Sequence, residues 1–165
     1  LNKAILATLP DVISDFKSMR QSEGTSLSNI LKNQLSEIAN LTASAAEVAE
    51  KRKDEMGETL RANLARVLEN SDGADETRVA QELAVLVVKS DVTEEIDRLH
   101  AHVDAAKDLL AKGSPIGRKL DFLMQEFNRE ANTLCSKAQN VELTRIGLDL
   151  KTVIDQMREQ VQNVE

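Results

Sequence analysis

The sequence is short of the residues that build sheets and tight turns. Its 165 residues include no Trp, no Tyr, three Phe, two Pro and six Gly. Strands of antiparallel sandwiches and barrels favour aromatic and β-branched residues, and their many turns draw on Gly and Pro. An all-β fold is therefore close to excluded. The same shortage argues against the sheet-borne modules whose aromatic rings stack on bases.

Cysteine and long hydrophobic runs are also scarce. The single cysteine, Cys135, cannot form an intramolecular disulfide, which fits a reducing compartment. No window approaches the run of about 20 apolar residues that spans a membrane. The first nine residues lack the long apolar region and cleavage site of a signal peptide. We therefore predict a cytoplasmic protein without a membrane partner. Because the first residue is Leu and not Met, we also expect a processed or incomplete chain.

What the sequence does contain is typical of a water-soluble helical protein. Hydrophobic residues make up 41% and charged residues 30%, with 21 Lys and Arg against 28 Asp and Glu for a net charge of −7. The apolar residues recur at helical spacing almost throughout. A first helix is predicted to end at the polar segment 21–24, and the pattern from Leu27 to Val67 predicts one very long helix or two end to end. We interpret residues 1–72 as a long antiparallel helical hairpin.

Residues 73–165 are predicted to form a bundle of about four helices after a loop at residues 70–73. The first is short, apolar and expected to be well buried. The second opens with a capping-box pattern at Asp91 and Glu94 and ends at Gly113. The third starts at Ser114–Pro115, and the last runs from about Val141. The predicted fold class is all-α, with a domain division between residues 72 and 73.

The motifs that identify phosphate loops, zinc sites and common hydrolases are absent. Candidate site residues must therefore be identified from their spacing along the predicted helices. The helix that opens at Asp91 places Asp91, Glu95, Arg98 and His102 on one stripe. A carboxylate beside a histidine can prepare a general acid or base near neutral pH. Spacing alone leaves open the alternative of a solvated face with one Glu–Arg pair and an uninvolved histidine.

The helix after Pro115 carries two polar stripes opposite its apolar face. They consist of Arg118, Phe122, Gln125, Arg129, Asn132 and Ser136, and of Lys119, Glu126, Glu130, Thr133 and Lys137. Glu126 and Glu130, one turn apart, can share a divalent cation, while the basic residues can hold phosphates. The alternative is salt bridging between Glu126 and Arg129 and between Glu130 and Lys137. Phe122 on a polar stripe predicts burial against another element or subunit, with base stacking as the alternative.

Three blocks of sequence carry a family resemblance. They are DVTEEIDRLHAH at 91–102, GRKLDFLMQEFNREANTLCSK at 117–137 and REQVQNVE at 158–165. In order and separation they resemble the YicC-like family of bacterial proteins, and the helical first half is similar to that family's middle region. Full-length members carry an amino-terminal α/β domain before this region. The resemblance therefore implies that this domain is absent and that the chain is a C-terminal part.

The resemblance implies a cytoplasmic, metal-assisted endoribonuclease that acts on structured RNA and assembles as a homo-oligomer, a hexamer with a central channel. Catalytic positions carried over are Glu95, His102, Glu126 and Glu130. The RNA-binding positions are Arg98, Arg118, Lys119, Gln125, Asn128, Arg129, Asn132 and Lys137, and Asp121 belongs to the same block.

On chemical grounds, Glu126 and Glu130 would bind Mn²⁺ or Mg²⁺ or act as acid and base, and His102 would transfer a proton. The net negative charge argues mildly against RNA binding, yet residues 113–137 hold four Lys and Arg against three Asp and Glu. A non-enzymatic helical adaptor and an oligomerisation scaffold remain the alternative functions. The part present here is expected to lose activity without the missing domain.

Overall fold

A computed structural model of the protein describes residues 2–70 and 76–164, which form five α-helices. The helices are α1 (Asn2–Asn70), α2 (Glu76–Ser90), α3 (Thr93–Lys112), α4 (Gly117–Lys137) and α5 (Val141–Val161). No strand occurs in these two ranges, so the prediction of an all-α fold is confirmed. Within them, no helix is both long and apolar enough to cross a bilayer.

The first helix is continuous, and the hairpin predicted within residues 1–72 is wrong. α1 passes through the polar segment 21–24 without a break. The hydroxyls of Thr25 and Ser26 donate to the carbonyls of Gln21 and Ser22, at 2.8 and 3.1 Å, which accommodates these side chains within the helix. The antiparallel neighbour of α1 is instead α2, whose last residue lies beside Arg52 and Met56. Of the predicted loop at 70–73, residues 71–73 lie outside the described residues.

Four of the helices enclose the core. Each contacts two others, in the order α1, α3, α4, α5 and back to α1. The largest fully buried side chains come from all four helices: Leu31, Ile38, Leu99, Leu120, Met124, Phe127, Leu134, Leu143, Leu150, Ile154, Met157 and Val161. The core therefore extends across the domain division predicted between residues 72 and 73.

The second helix packs mainly against α1, with Ser90 beside Arg52 and Met56. Arg52 on α1 donates to the carbonyl of Ser90 at 3.4 Å, so α2 runs back along α1. The prediction that this helix is well buried is wrong, because its successive apolar residues 85–88 are all exposed. With one main neighbour, α2 can bury only a narrow stripe of its surface.

The end of α3 and the start of α4 fix where α4 begins, and α4 carries most of the predicted polar site residues. Gly113 ends α3 with a φ of 73°, as predicted from the ease with which glycine adopts the left-handed region. α4 begins at Gly117, two residues later than predicted, after a cis peptide bond between Ser114 and Pro115. Gly147 lets α5 approach α4 closely, since a Cβ built on it would lie 2.5 Å from Sγ of Cys135. α4 is thus packed between α3 and α5.

Candidate active site

Polar side chains from α3 and α4 meet in one cluster. His102 on α3 and Glu126 and Glu130 on α4 each offer one ligand atom, and these atoms all lie within 4.8 Å of one another. The two glutamates share a face because they are one helical turn apart. Glu130 is buried, at 2% exposure, while His102 and Glu126 are half-buried. The stripes predicted separately on two helices therefore face each other.

The imidazole of His102 is held by packing, and one of its nitrogens is unpaired among the residues that the structure describes. Its ring packs edge-on against Phe127, with 5.6 Å between ring centroids and 72° between planes. Phe127 is itself fully buried in the core. Nε2 of His102 is buried and has no hydrogen-bond partner in the part of the chain that the structure describes. An unsatisfied buried nitrogen is costly, so this atom marks a place where a further group can bind.

Arg98 ties the cluster to α3. Its Nη1 donates to Oε1 of Glu130 at 3.2 Å, and its Nη2 donates to Oε1 of Glu94. The hydrogen bond to Glu130, followed by the charge of Glu94, holds the pKa of Arg98 above its ordinary value. The ion pair of Glu130 with Lys137, offered as an alternative by spacing, is wrong, since Glu130 pairs with Arg98 across the two helices.

A second ion pair joins α3 and α4 beside the cluster. Nζ of Lys137 lies 2.8 Å from Oε1 of Glu95, whose side chain is almost fully buried. The other oxygen of Glu95 is buried without a hydrogen-bond partner among the described residues. Glu95 precedes His102 by seven residues, or about 10 Å along the helix, so it lies next to the three-residue cluster and outside it. Lys137, predicted to contact RNA, is thus engaged by a carboxylate.

The remaining predicted RNA contacts line the outer side of α4. Arg118, Lys119, Gln125, Arg129 and Asn132 are exposed, and Asn128 is half-buried. Nη1 of Arg129 lies 3.9 Å from Oε2 of Glu126, so the i,i+3 pair offered by spacing is present. The amide of Asn132 donates to Asn128 at 2.9 Å.

Two neighbours of these residues are not among the predicted site residues. Asp155 on α5 accepts a hydrogen bond from Asn128 at 3.0 Å, and Nε of Arg158 lies 3.8 Å from Oδ1 of Asp121. Their i,i+3 spacing shows that they share a face of α5. The sequence carries no signal that this face meets α4, because that depends on how the two helices dock.

Phe122 is the residue whose predicted environment differs most from the observed one. Its side chain is 63% exposed, so burial by another element of the described chain is wrong. The next residue along the helix, Leu123, turns into the core. Phe122 therefore stands on the same outer side of α4 as the exposed arginines.

The donor atoms of the cluster suit a divalent cation. Carboxylate oxygens are the ligands that Mg²⁺ and Mn²⁺ prefer, and an imidazole nitrogen is a common ligand of transition-metal ions. A cation bound through Nε2 of His102 would also satisfy this buried atom, which has no hydrogen-bond partner among the described residues. The residues present therefore fit the metal ion that the family resemblance implies, with His102 as an additional ligand beside the two predicted glutamates.

Comparison with known proteins bears on the identity of the chain. Residues 45–165 match the family described as "Endoribonuclease YicC-like, C-terminal". The chain is similar to two proteins named "Probable endoribonuclease YicC". That of Haemophilus influenzae is 40% identical over 169 residues, covering 100% of this chain and 56% of the relative. That of Clostridioides difficile is 35% identical over 172 residues, covering 100% and 55%. The chain thus spans about half the length of these curated relatives, and it belongs to the YicC-like endoribonuclease family.

Proposed function

We propose that this chain provides the catalytic cluster of a metal-assisted endoribonuclease that cuts phosphodiester bonds in structured RNA in the cytoplasm. Membership of the family supports the reaction class. The proposal that a metal ion assists the reaction rests on one observation. His102, Glu126 and Glu130 converge, with ligand atoms within 4.8 Å of one another. A homo-oligomer is part of the proposal, because α1 and α2 carry exposed apolar residues that suit protein contacts.

The three residues of the cluster would bind the cation, and the residues next to them orient the ligands. When a divalent cation is held by His102, Glu126 and Glu130, it supplies positive charge that offsets the negative charge developing on the phosphodiester. Arg98 keeps the Glu130 carboxylate in a fixed position through their ion pair, and Phe127 orients the imidazole. Preorganised groups of this kind need little rearrangement during the reaction.

Basic side chains on the outer side of α4 would hold the RNA backbone. Arg118 and Arg129 are exposed, and the planar guanidinium suits bidentate contact with phosphate oxygens. Arg129 already lies near the Glu126 carboxylate, so a phosphate bound by Arg129 would be close to the cluster. Counterion release makes such binding weaken as salt rises.

The test uses the purified full-length gene product with a hairpin RNA and Mn²⁺ or Mg²⁺. Glu126→Gln, Glu130→Gln and His102→Gln should each lower the cleavage rate and the Mn²⁺ affinity by about 100-fold or more, since loss of even an outer-shell partner costs 10–100-fold. Glu159→Gln, an exposed carboxylate on α5, is the matched control and should leave both unchanged. Cleavage by the three variants at the wild-type rate would remove these residues from the mechanism.

The His102 variant also separates two roles. A ligand role predicts that His102→Gln loses Mn²⁺ affinity together with cleavage. The proton-transfer role inferred from the sequence predicts normal Mn²⁺ affinity, with loss of the cleavage rate and of its pH dependence near neutrality.

A non-enzymatic adaptor is the second candidate, and the exposed apolar residues of α1, among them Leu9, Ile13 and Phe16, favour it. An adaptor predicts salt-sensitive RNA binding without cleavage, even when metal is present. A pure oligomerisation scaffold predicts a stable multimer with no affinity for RNA.

A further inference from the structure

Phe122 belongs to a very small set of aromatic residues and is more exposed than Phe16, at 63% against 52%. The chain has three Phe and no other aromatic residue of the Tyr or Trp type. Phe127 is buried in the core, and Phe16 lies under the guanidinium of Arg20, with 5.9 Å from Cζ to the ring centroid. The other large apolar residues within α4 are at most 9% exposed, whereas Phe122 is 63% exposed. Since single exposed apolar residues are common, its meaning depends on what surrounds it.

The ring is close to the catalytic cluster in helical register. Glu126 follows Phe122 by one turn, about 6 Å along the axis, and Glu130 follows by two turns. Arg118 precedes the ring by one turn, and Arg129 follows it by seven residues on the same side. At 100° per residue, Arg118, Arg129 and Glu126 all lie within about 40° of Phe122 around the helix. Phe122 therefore stands between the exposed arginines and the metal-binding candidates.

The side chains around the ring leave positive charge available. Arg118 is exposed and makes no ion pair or hydrogen bond to any residue that the structure describes. The acidic neighbour Asp121 is occupied, since it accepts from Gln125 at 3.1 Å and lies 3.8 Å from Arg158. An exposed aromatic face with a free guanidinium beside it is what a single nucleic-acid strand requires, because its bases stack and its phosphates pair with cations.

We propose that Phe122 is a stacking platform for an unpaired base of the RNA, next to the phosphodiester that is cut. This inference rests on the proposed function. It defines the substrate class as RNA whose cut site has an unpaired nucleotide in a loop, bulge or single strand, since a base within a duplex is already stacked on both sides. A protein seated permanently on Phe122 would cover Glu126 one turn away, which favours RNA as the occupant.

The experiment places the fluorescent base 2-aminopurine in the loop of a hairpin RNA and titrates the full-length protein without added metal. Binding to wild-type protein should change the fluorescence as the base stacks. Phe122→Leu, which keeps the apolar bulk but loses the π-face, should abolish that change and weaken binding about fivefold or more, while Phe122→Trp retains both. A fully paired RNA should bind the three proteins equally. Leu148→Ala, a second exposed apolar residue on α5, is the matched control and should behave as wild type.

Three outcomes would overturn the inference. Phe122→Leu could give the wild-type fluorescence change and the wild-type affinity for the hairpin. It could lose affinity for fully paired RNA as much as for the hairpin, or it could have a different oligomeric state in sedimentation. The last would assign Phe122 to a contact between subunits. Because the readout is binding, it separates the two proposals. If Phe122→Leu loses stacking and no form of the protein cleaves RNA, the nuclease proposal is refuted and the stacking role of Phe122 stands. If metal-dependent cleavage occurs and Phe122→Leu stacks normally, the nuclease proposal stands and the stacking role is refuted.

Discussion

Arg98 holds Glu130 in the candidate site through a charge pair that crosses from α3 to α4. Glu130 is buried, and a buried carboxylate without its partner is strongly unfavourable. Glu94 in turn fixes the guanidinium of Arg98 from one turn away. These contacts favour a positioning role for Arg98 over the RNA contact predicted from the sequence, since a phosphate would have to compete with two carboxylates.

Asp91 illustrates a residue whose contribution depends on pH. Its Oδ1 accepts hydrogen bonds from the backbone N–H and the hydroxyl of Thr93, at 2.9 and 2.6 Å, at the start of α3. These bonds lower the pKa of Asp91 below its ordinary value of 3.8. The capping box predicted at Asp91 and Glu94 is wrong, because Val92 is the N-cap of α3 and carries no side-chain cap bond. Asp91→Ala should still reduce the free energy of unfolding by about 1 kcal/mol at pH 7, because the two hydrogen bonds to Thr93 are lost.

The sign of the pH effect follows from the lowered pKa. Because the folded state binds the proton less tightly than the unfolded state, the charged form stabilises the fold above about pH 4. That contribution is lost as the pH falls through the pKa of the folded state. Urea unfolding from pH 7 to pH 2 should show the charge-dependent part of the difference between wild type and Asp91→Ala disappearing in acid. A difference that stays constant over this range contradicts the assignment, and Asp149→Ala, exposed on α5, controls for loss of a surface charge.

At the scale of the elements, helical spacing predicted which residues share a face and failed where another element decides the outcome. The i,i+4 spacing of Glu126 and Glu130 sufficed to put them together on α4. Their meeting with His102 depends on the docking of α3 against α4, which spacing within one helix does not describe. The end predicted at residues 21–24 failed because propensity is a weak guide, and the hydroxyls of Thr25 and Ser26 bond to the preceding turn within a continuous helix.

The docking of α4 against α5 depends on Gly147. A Cβ at this position would lie 2.5 Å from Sγ of Cys135 and 3.2 Å from Cδ2 of Leu134, so Gly147→Ala forces α4 and α5 apart or displaces these side chains. The free energy of unfolding should fall by about 1 kcal/mol or more, as in other overpacked cores. Gly57→Ala on α1 meets nothing within 4 Å and should be neutral or stabilising.

A double-mutant cycle checks that the overlap is the cause. Adding Cys135→Ala to Gly147→Ala removes the sulfur, so the double variant should recover part of the lost stability. Additive losses in thermal or urea unfolding would mean that the contact with Cys135 is not responsible.

For the whole molecule, α1 is part of the same core as the helices that carry the site. The family match begins at residue 45, yet the buried residues Leu31, Leu35 and Ile38 precede it and pack in one cluster with α3, α4 and α5. The cluster of His102, Glu126 and Glu130 is held between helices whose spacing depends on this core. The stability of the site is therefore linked to a segment of α1 that contributes none of its ligands.

Ile38→Ala tests this link, because Ile38 is fully buried while lying far in sequence from the site. The free energy of unfolding should fall by about 2–5 kcal/mol, the usual loss when a buried isoleucine is truncated. If α1 and α3–α5 form one cooperative unit, a single unfolding transition should persist, and hydrogen exchange should accelerate in α3 and α5 as well as in α1. Ile30→Ala, on the same helix but 44% exposed, should change stability by less than about 0.5 kcal/mol. Exchange that accelerates in α1 alone would separate this helix from the bundle and leave the site to be held by α3, α4 and α5.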